Sequence, residues 1–187
     1  MQYRRAKVTG GTYFFTVVTH DRRPFLCELE NIELLRAAFR YVMNSHPFII
    51  DAIAILPEHI HCIWTLPPAD RDFSTRWRLL KSYFTRRCQQ QYHGELSASR
   101  FDKREQAIWQ RRFWEHHIQD DLDFLHHFNY VHYNPVRHRL VGAPKDWQFS
   151  SFHHHVRRGI YHLDWGGWIP TENRRLGKTS KRYLSQL

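Results

Sequence analysis

His59-Ile60-His61 sets two imidazoles two residues apart. On a β-strand, side chains alternate between faces. Both rings would then fall on one side with Ile63 and Thr65, while Ile60, Cys62, Trp64 and Leu66 form an apolar row on the other. Two imidazoles so placed can converge on one divalent ion. Taken by itself, the pair reads at least as well as solvated surface. The chain holds 15 histidines, roughly one such pair is expected by chance, and His153-His154-His155 contains another.

A second constellation lies in Asp121 to Arg137. On a helical wheel of about 100° per residue, Phe124, Leu125, Phe128, Val131, Pro135 and Val136 gather on one side, joined by His132. His126, Tyr130, Asn134 and Arg137 lie opposite. Tyr130 and Asn134 are four apart, one above the other, and Tyr130 occupies the middle of the polar face, where a nucleophile would sit. Tyr133 is nearer the edge and is the weaker candidate. A phenol ionises near pH 10, so at neutral pH it needs a metal to polarise a phosphate. Two imidazoles and one amide oxygen would leave coordination positions for phosphate oxygen and water. Attack on phosphorus would give a covalent phosphotyrosine and free a hydroxyl, and the reverse attack would rejoin strands without ATP. Asn134 also has a second reading. The residue before proline is biased away from helix, so Asn134 could instead cap a new turn opened by Pro135.

A third feature, Trp109-Gln110-Arg111-Arg112-Phe113-Trp114-Glu115-His116-His117, interleaves aromatic and basic residues. As a strand it puts Arg112, Trp114 and His116 on one face. It reads equally as a platform for phosphates and bases and as core tryptophans beneath solvated arginines. Glu115 or His116 could approach the metal site from this strand.

The elements that must position these residues are legible in outline. Gly11–Thr19, Phe48–Leu56, His59–Leu66 and Ala107–Ile118 read as strands, the second and third joined in a hairpin at Pro57-Glu58. Asn31–Met43, a basic amphipathic stretch over Asp70–Tyr92, and a segment from Asp120 to Tyr133 or Leu140 read as helices. Arg76, Arg78, Lys81, Arg86 and Arg87 on the second helix read as a solvated face. The order β-α-β-β-α-β-α predicts an α+β fold: a ferredoxin-like, RRM-like antiparallel sheet with helices on one face and an irregular C-terminal extension. The open face would be free for nucleic acid, as in RNA-binding domains.

Composition bounds the function. The chain has 187 residues, a formal charge of +10 and 16% aromatics with seven tryptophans. A basic, aromatic chain suits polyanions. No run of about 18 apolar residues is present, which excludes a spanning helix, and no apolar stretch follows the N-terminus, so the cytoplasm is the expected compartment. Cys27, Cys62 and Cys88 are scattered, which disfavours a disulfide scaffold or thiolate zinc site. Residues 1–168 are expected to form one domain and 169–187 a basic tail.

Leu56-Pro57-Glu58-His59-Ile60-His61 resembles the histidine motif of the single-tyrosine HUH transposases, and Tyr130-Val131-His132-Tyr133-Asn134-Pro135-Val136-Arg137 resembles their catalytic-tyrosine helix. Gly10–Thr16, Arg112–His116 and Trp147–Phe152 resemble further segments of the REP-associated tyrosine transposases within that group, in the family's order. The resemblance implies a single-stranded DNA endonuclease and strand transferase acting on palindromic hairpins beside a guide tetranucleotide, with magnesium or manganese. It implies His59, His61 and Asn134 as ligands, Tyr130 as the nucleophile forming a 5′-phosphotyrosine, and Arg4, Arg5 and Lys7 as readers of the guide bases. Arg111, Arg112, Trp114 and Arg137 would contact DNA. A monomer associated with the nucleoid is expected. The competing readings are a non-catalytic hairpin DNA- or RNA-binding module and, with less support, a zinc-binding structural protein using His153 to His155.

Overall fold

The computed structural model describes residues 8–95, 97–102 and 106–167, with the side chain of Arg100 set aside. Arg4, Arg5, Lys7 and the basic tail expected over 169–187 lie outside the described residues. The elements are β1 (Thr12–Val18), α1 (Leu29–Ser45), β2 (Ile49–Ile55), β3 (His59–Thr65), α2 (Phe73–Arg87), α3 (Ala98–Asp102), β4 (Trp114–His117), α4 (Asp121–Arg137) and α5 (Phe152–Arg157). The sheet is antiparallel, in the order β2-β3-β1-β4. The α+β class and the β-α-β-β-α-β-α order are those read from the sequence, with the short α3 and α5 added.

Local chemistry accounts for the elements. β1 is aromatic and β-branched, which suits a strand bonded on both sides. Leu56 N–H donates to the His59 carbonyl at 2.8 Å across the tight β2–β3 turn. The buried apolar positions of α1, namely Ile32, Leu35, Ala38, Phe39 and Val42, recur at helical spacing. The Asp72 and Asp120 carboxylates accept the Thr75 and Asp123 N–H groups, capping α2 and α4.

Strand alternation divides the core in two. Tyr13, Phe15, Val17, Ile60, Cys62 and Trp64 pack against α1 and α2, with Trp64 stacked on Trp77 at 4.2 Å. Phe14, Ala52, Ala54 and Ile63 pack on the other face against Phe128 and Val131 of α4, Phe152 of α5, and Tyr161. α1 and α2 thus share one face as expected, but α4 covers part of the opposite one. That second face carries apolar residues of its own on β1, β2 and β3, so leaving it open would expose them to water. No helix among the described residues is long and apolar enough to cross a membrane.

Two further expectations change. The fourth strand is confined to Trp114–His117, while Ala107 and Trp109 make only isolated bridges to Gly94 and Thr19. Trp109 is drawn into the core beside Phe84, and the Gln110 carbonyl accepts from Lys81 Nζ at 2.9 Å. Nor is Arg76 part of a solvated face. It is 1% exposed and donates to the carbonyls of His46, Pro47 and Asp72 and to the Asp70 carboxylate at 2.7 Å. It ties the start of α2 to the α1–β2 connection and holds the Asp70 carboxyl below its usual pKa. We expect Arg76→Met, which keeps much of the volume and strands these acceptors, to cost about 3 kcal/mol. Urea unfolding should show a lower midpoint at unchanged slope.

Candidate active site

β3 presents His59 and His61 side by side, both buried, with ring centroids 4.5 Å apart and nearly perpendicular. The face is the one opposite Trp64 and Cys62, as strand alternation requires. Each ring is anchored at Nδ1. His59 Nδ1–H donates to Glu58 Oε1 at 3.0 Å, and His61 Nδ1 shares a hydrogen bond with Thr16 Oγ1 at 2.9 Å. Nε2 is the atom each imidazole has left for a ligand, and such outer hydrogen bonds fix ring orientation in metal sites. Burial pushes the pKa of His59 down, with Glu58 opposing it. Burial, helped by His59, His138 and Arg137, pulls His61 to about 2. Both rings are therefore neutral at physiological pH, the form that binds metal.

α4 lies above this pair. The Tyr130 ring meets His61 edge-on at 5.2 Å and Phe14 at 5.7 Å, and the Arg137 guanidinium stands 5.3 Å from its centroid. The Tyr130 hydroxyl has no hydrogen-bond partner among the described residues. One turn on, Asn134 is completely buried, and its side chain approaches His59 closely enough to raise that ring's pKa by a hydrogen bond, yet neither Oδ1 nor Nδ2 makes a well-formed one among the described residues. A buried amide left unsatisfied costs about 1–3 kcal/mol. Two imidazole nitrogens and an amide oxygen without a well-formed hydrogen bond are a donor set that fits a divalent cation. Asn134 does not cap a new turn, because α4 continues through Pro135 to Arg137. It ends with Leu140 N–H bonded to the Pro135 carbonyl and Arg139 at φ 59°, the left-handed closure common at helix C-termini.

The remaining candidates divide. Trp114, on the edge strand, is 51% exposed and packs edge-on against Phe14 at 5.6 Å. Arg112 is exposed, and Arg111 reaches Ser99 Oγ at 3.0 Å. Glu115 does not approach the histidine pair. It alternates with Trp114 and His116, and its neighbour of like facing, His117, packs on Tyr13 in the α1/α2 core. His116 is on the site's face but joins a different group. With Asp123 and His127 it forms three side chains that could hold a metal ion. Sequence reasoning missed Thr16, Phe14, Glu58, Asp123, His127 and His138. Only Glu58, beside His59, and His127, three residues before Tyr130, carried a local signal.

The family described as "Transposase IS200 like" matches residues 7–134. The REP-associated tyrosine transposase of Escherichia coli K12 is 45% identical over 166 residues, covering 89% of this chain and 91% of that one. A Haemophilus influenzae relative is 44% identical over 166 residues, covering 88% and 93%. A REP-associated tyrosine transposase solved bound to a REP hairpin superposes with a TM-score of 0.76 at 44% identity, covering 91% of this chain and 93% of that one. The chain belongs to the IS200-like transposase family and, within it, to the REP-associated tyrosine transposases, a class of DNA-cleaving enzymes.

Buried neutral histidines also set a pH dependence. His132, on the buried side of α4, packs between Phe128 and Tyr161, and burial, with His155 adding to it, pulls it to about 3. In the unfolded chain these rings protonate near 6.5. The unfolded state then binds more protons below that pH, so stability falls as pH drops through about 6.5 toward the folded values. We expect metal-free protein to lose stability between pH 6.5 and 4, with His61 and His132 remaining neutral in histidine-ring NMR spectra. A flat stability profile would contradict this.

Proposed function

We propose that the chain is a metal-dependent endonuclease and strand transferase for single-stranded DNA, acting on REP-type palindromic hairpins through a 5′-phosphotyrosine on Tyr130. The observation that carries this reading is the meeting, within one chain, of Tyr130 with His61, His59 and the unsatisfied Asn134 amide. A pocket complete in a single chain also supports a monomer. The hairpin-bound relative and the basic charge support the substrate class and an association with the nucleoid.

In this reading Tyr130 Oη attacks the scissile phosphorus. The P–Oη bond forms as the bond to the 3′-oxygen breaks, the phenol proton passes to solvent, and the departing oxygen is protonated to a 3′-hydroxyl. An incoming 3′-hydroxyl reverses the exchange, so joining needs no ATP. His59, His61 and Asn134 would hold magnesium or manganese, which when bound draws charge from the scissile phosphate. Phe14 and Arg137 hold the Tyr130 ring, and the pairing of each Nδ1 keeps both imidazoles aimed. Exposed Trp114 offers a stacking surface for an unpaired base. Arg111, Arg112, Arg137, Arg4, Arg5 and Lys7 are assigned to the DNA backbone and the bases beside the hairpin.

The test is a covalent-adduct assay. Hairpins from the flanks of the gene, labelled 3′ of the cut, are mixed with protein and Mn2+ or Mg2+ and run on a denaturing gel. A metal-dependent band at protein-plus-DNA mass is expected, absent in Tyr130→Phe although that variant binds DNA normally. Cleavage surviving in Tyr130→Phe would overturn the assignment, and tight binding without any adduct would favour a binding module. Thr16→Val should release His61 Nδ1 and weaken metal affinity about 10–100-fold with the fold intact, as read by calorimetry. The logarithm of DNA affinity should fall linearly with that of salt, by about 0.7 per phosphate neutralised.

A further inference from the structure

We infer that His116, Asp123 and His127 form a second cation site, one for a borderline first-row dication of the zinc type. The three come from two elements of the fold. His116 lies on the edge strand β4, and Asp123 and His127 lie one turn apart at the start of α4. The donor atoms fall within 4.8 Å of one another. His116 Nε2 is 2.8 Å from Asp123 Oδ2, and His127 Nδ1 is 2.9 Å from Asp123 Oδ1, one ring to each carboxylate oxygen. The two imidazoles stack nearly parallel at 4.6 Å, so a nitrogen edge of each faces the carboxylate. Burial works against ionisation of Asp123, but the Gln119 N–H and the His116 ring outweigh it and hold the carboxyl below its usual pKa.

Two imidazoles and one carboxylate are the ligand set of open zinc-type sites, with solvent in the fourth position. The side chains are 33%, 20% and 21% exposed, so an ion can enter without unfolding the chain. The group is distinct from the pocket beneath Tyr130, because the Phe14 ring stands between them, 4.9 Å from His127 and 5.4 Å from His61. Without an ion the same triad is a hydrogen-bonded cluster, in which His127 Nδ1 also lies 2.9 Å from the Asp123 backbone carbonyl. Asp123 additionally accepts the Gln119 N–H at 2.9 Å and so helps cap α4. With an ion, the cluster becomes a coordinate link from β4, a strand with one neighbour among the described residues, to α4. It would then fix the strand that carries Trp114.

The experiment uses the full chain carrying His59→Ala and His61→Ala, stripped of metal and titrated with Co2+. Visible absorption, calorimetry and thermal unfolding are read together. The expected result is about one equivalent bound, a d–d band of a low-coordinate site, and a rise in melting temperature, as for any ligand that binds only the folded state. His127→Phe, which keeps a ring against Phe14, should remove both the band and the rise. His116→Gln repeats the test on the other element should circular dichroism show His127→Phe to be unfolded. Absence of cobalt binding while the triad is intact would overturn the site and leave a hydrogen-bonded clamp. So would binding that survives both changes, for instance at His153 to His155. The measurement involves neither DNA nor the His59–His61 pocket, so it stands or falls separately from cleavage by Tyr130.

Discussion

The antiparallel pairing of β1 with β3 sets Thr16 opposite His61, Phe14 opposite Ile63 and Val18 opposite His59. The site depends on that register. Side chains on a strand have a period of two, so a slip of one residue would carry both imidazoles into the apolar layer and turn Trp64 and Cys62 outward. The aromatic layer holds the register in place. Tyr13 and Phe15 on β1 and Ile60, Cys62 and Trp64 on β3 are all buried against α1 and α2, and a slip would forfeit that burial along the whole strand. The hydrophobic core on one face thus aims the histidines on the other, and Thr16 sets the final orientation of His61.

α4 is positioned by a second, smaller layer. Phe128 and Val131 pack on Phe14, Ile63 and the β2 alanines, which turns Tyr130 and Asn134 toward the strand that bears His59 and His61. The neighbouring rings of Phe14 and His61 hold the Tyr130 phenol from the side. One residue, Phe14, therefore has three roles. It closes the second core layer, supports the tyrosine, and separates the histidine pocket from the triad at the sheet edge.

Much of this was legible from spacing. Alternation in β3 gave the correct face for His59 and His61, and the wheel of α4 put Tyr130 and Asn134 in line. What spacing could not supply was which surface covers which. Phe14 and Thr16 are unremarkable within a β-branched, aromatic strand, and only the long-range register brings Thr16 to His61. Arg76 looks like its neighbours in a basic helix, yet it is buried because backbone carbonyls from the α1–β2 connection happen to converge there. Glu115 shares a segment with His116, but the pleat sends the two to opposite faces. The resemblance to the tyrosine transposases supplied roles that residue types alone left open, while the geometry supplied the outer hydrogen bonds that a motif does not contain.

Asn134 is where local preference and tertiary structure conflict most openly. Its position before a proline disfavours helical backbone, and the proline removes an N–H that the helix would use. Its amide is buried without a well-formed hydrogen bond among the described residues. Each of these costs stability, and a leucine at the same place would relieve the last of them. The conflict persists because Phe128 and Val131 fix the helix over the sheet and the left-handed closure at Arg139 satisfies the carbonyls that follow. Departures of this kind gather where a chain has been shaped for a ligand rather than for its own stability. By that logic the unsatisfied amide beside two anchored, neutral imidazoles is the most informative feature of the pocket. It is a polar group held out of water, at a cost to the fold, in the place where a bound cation would complete it.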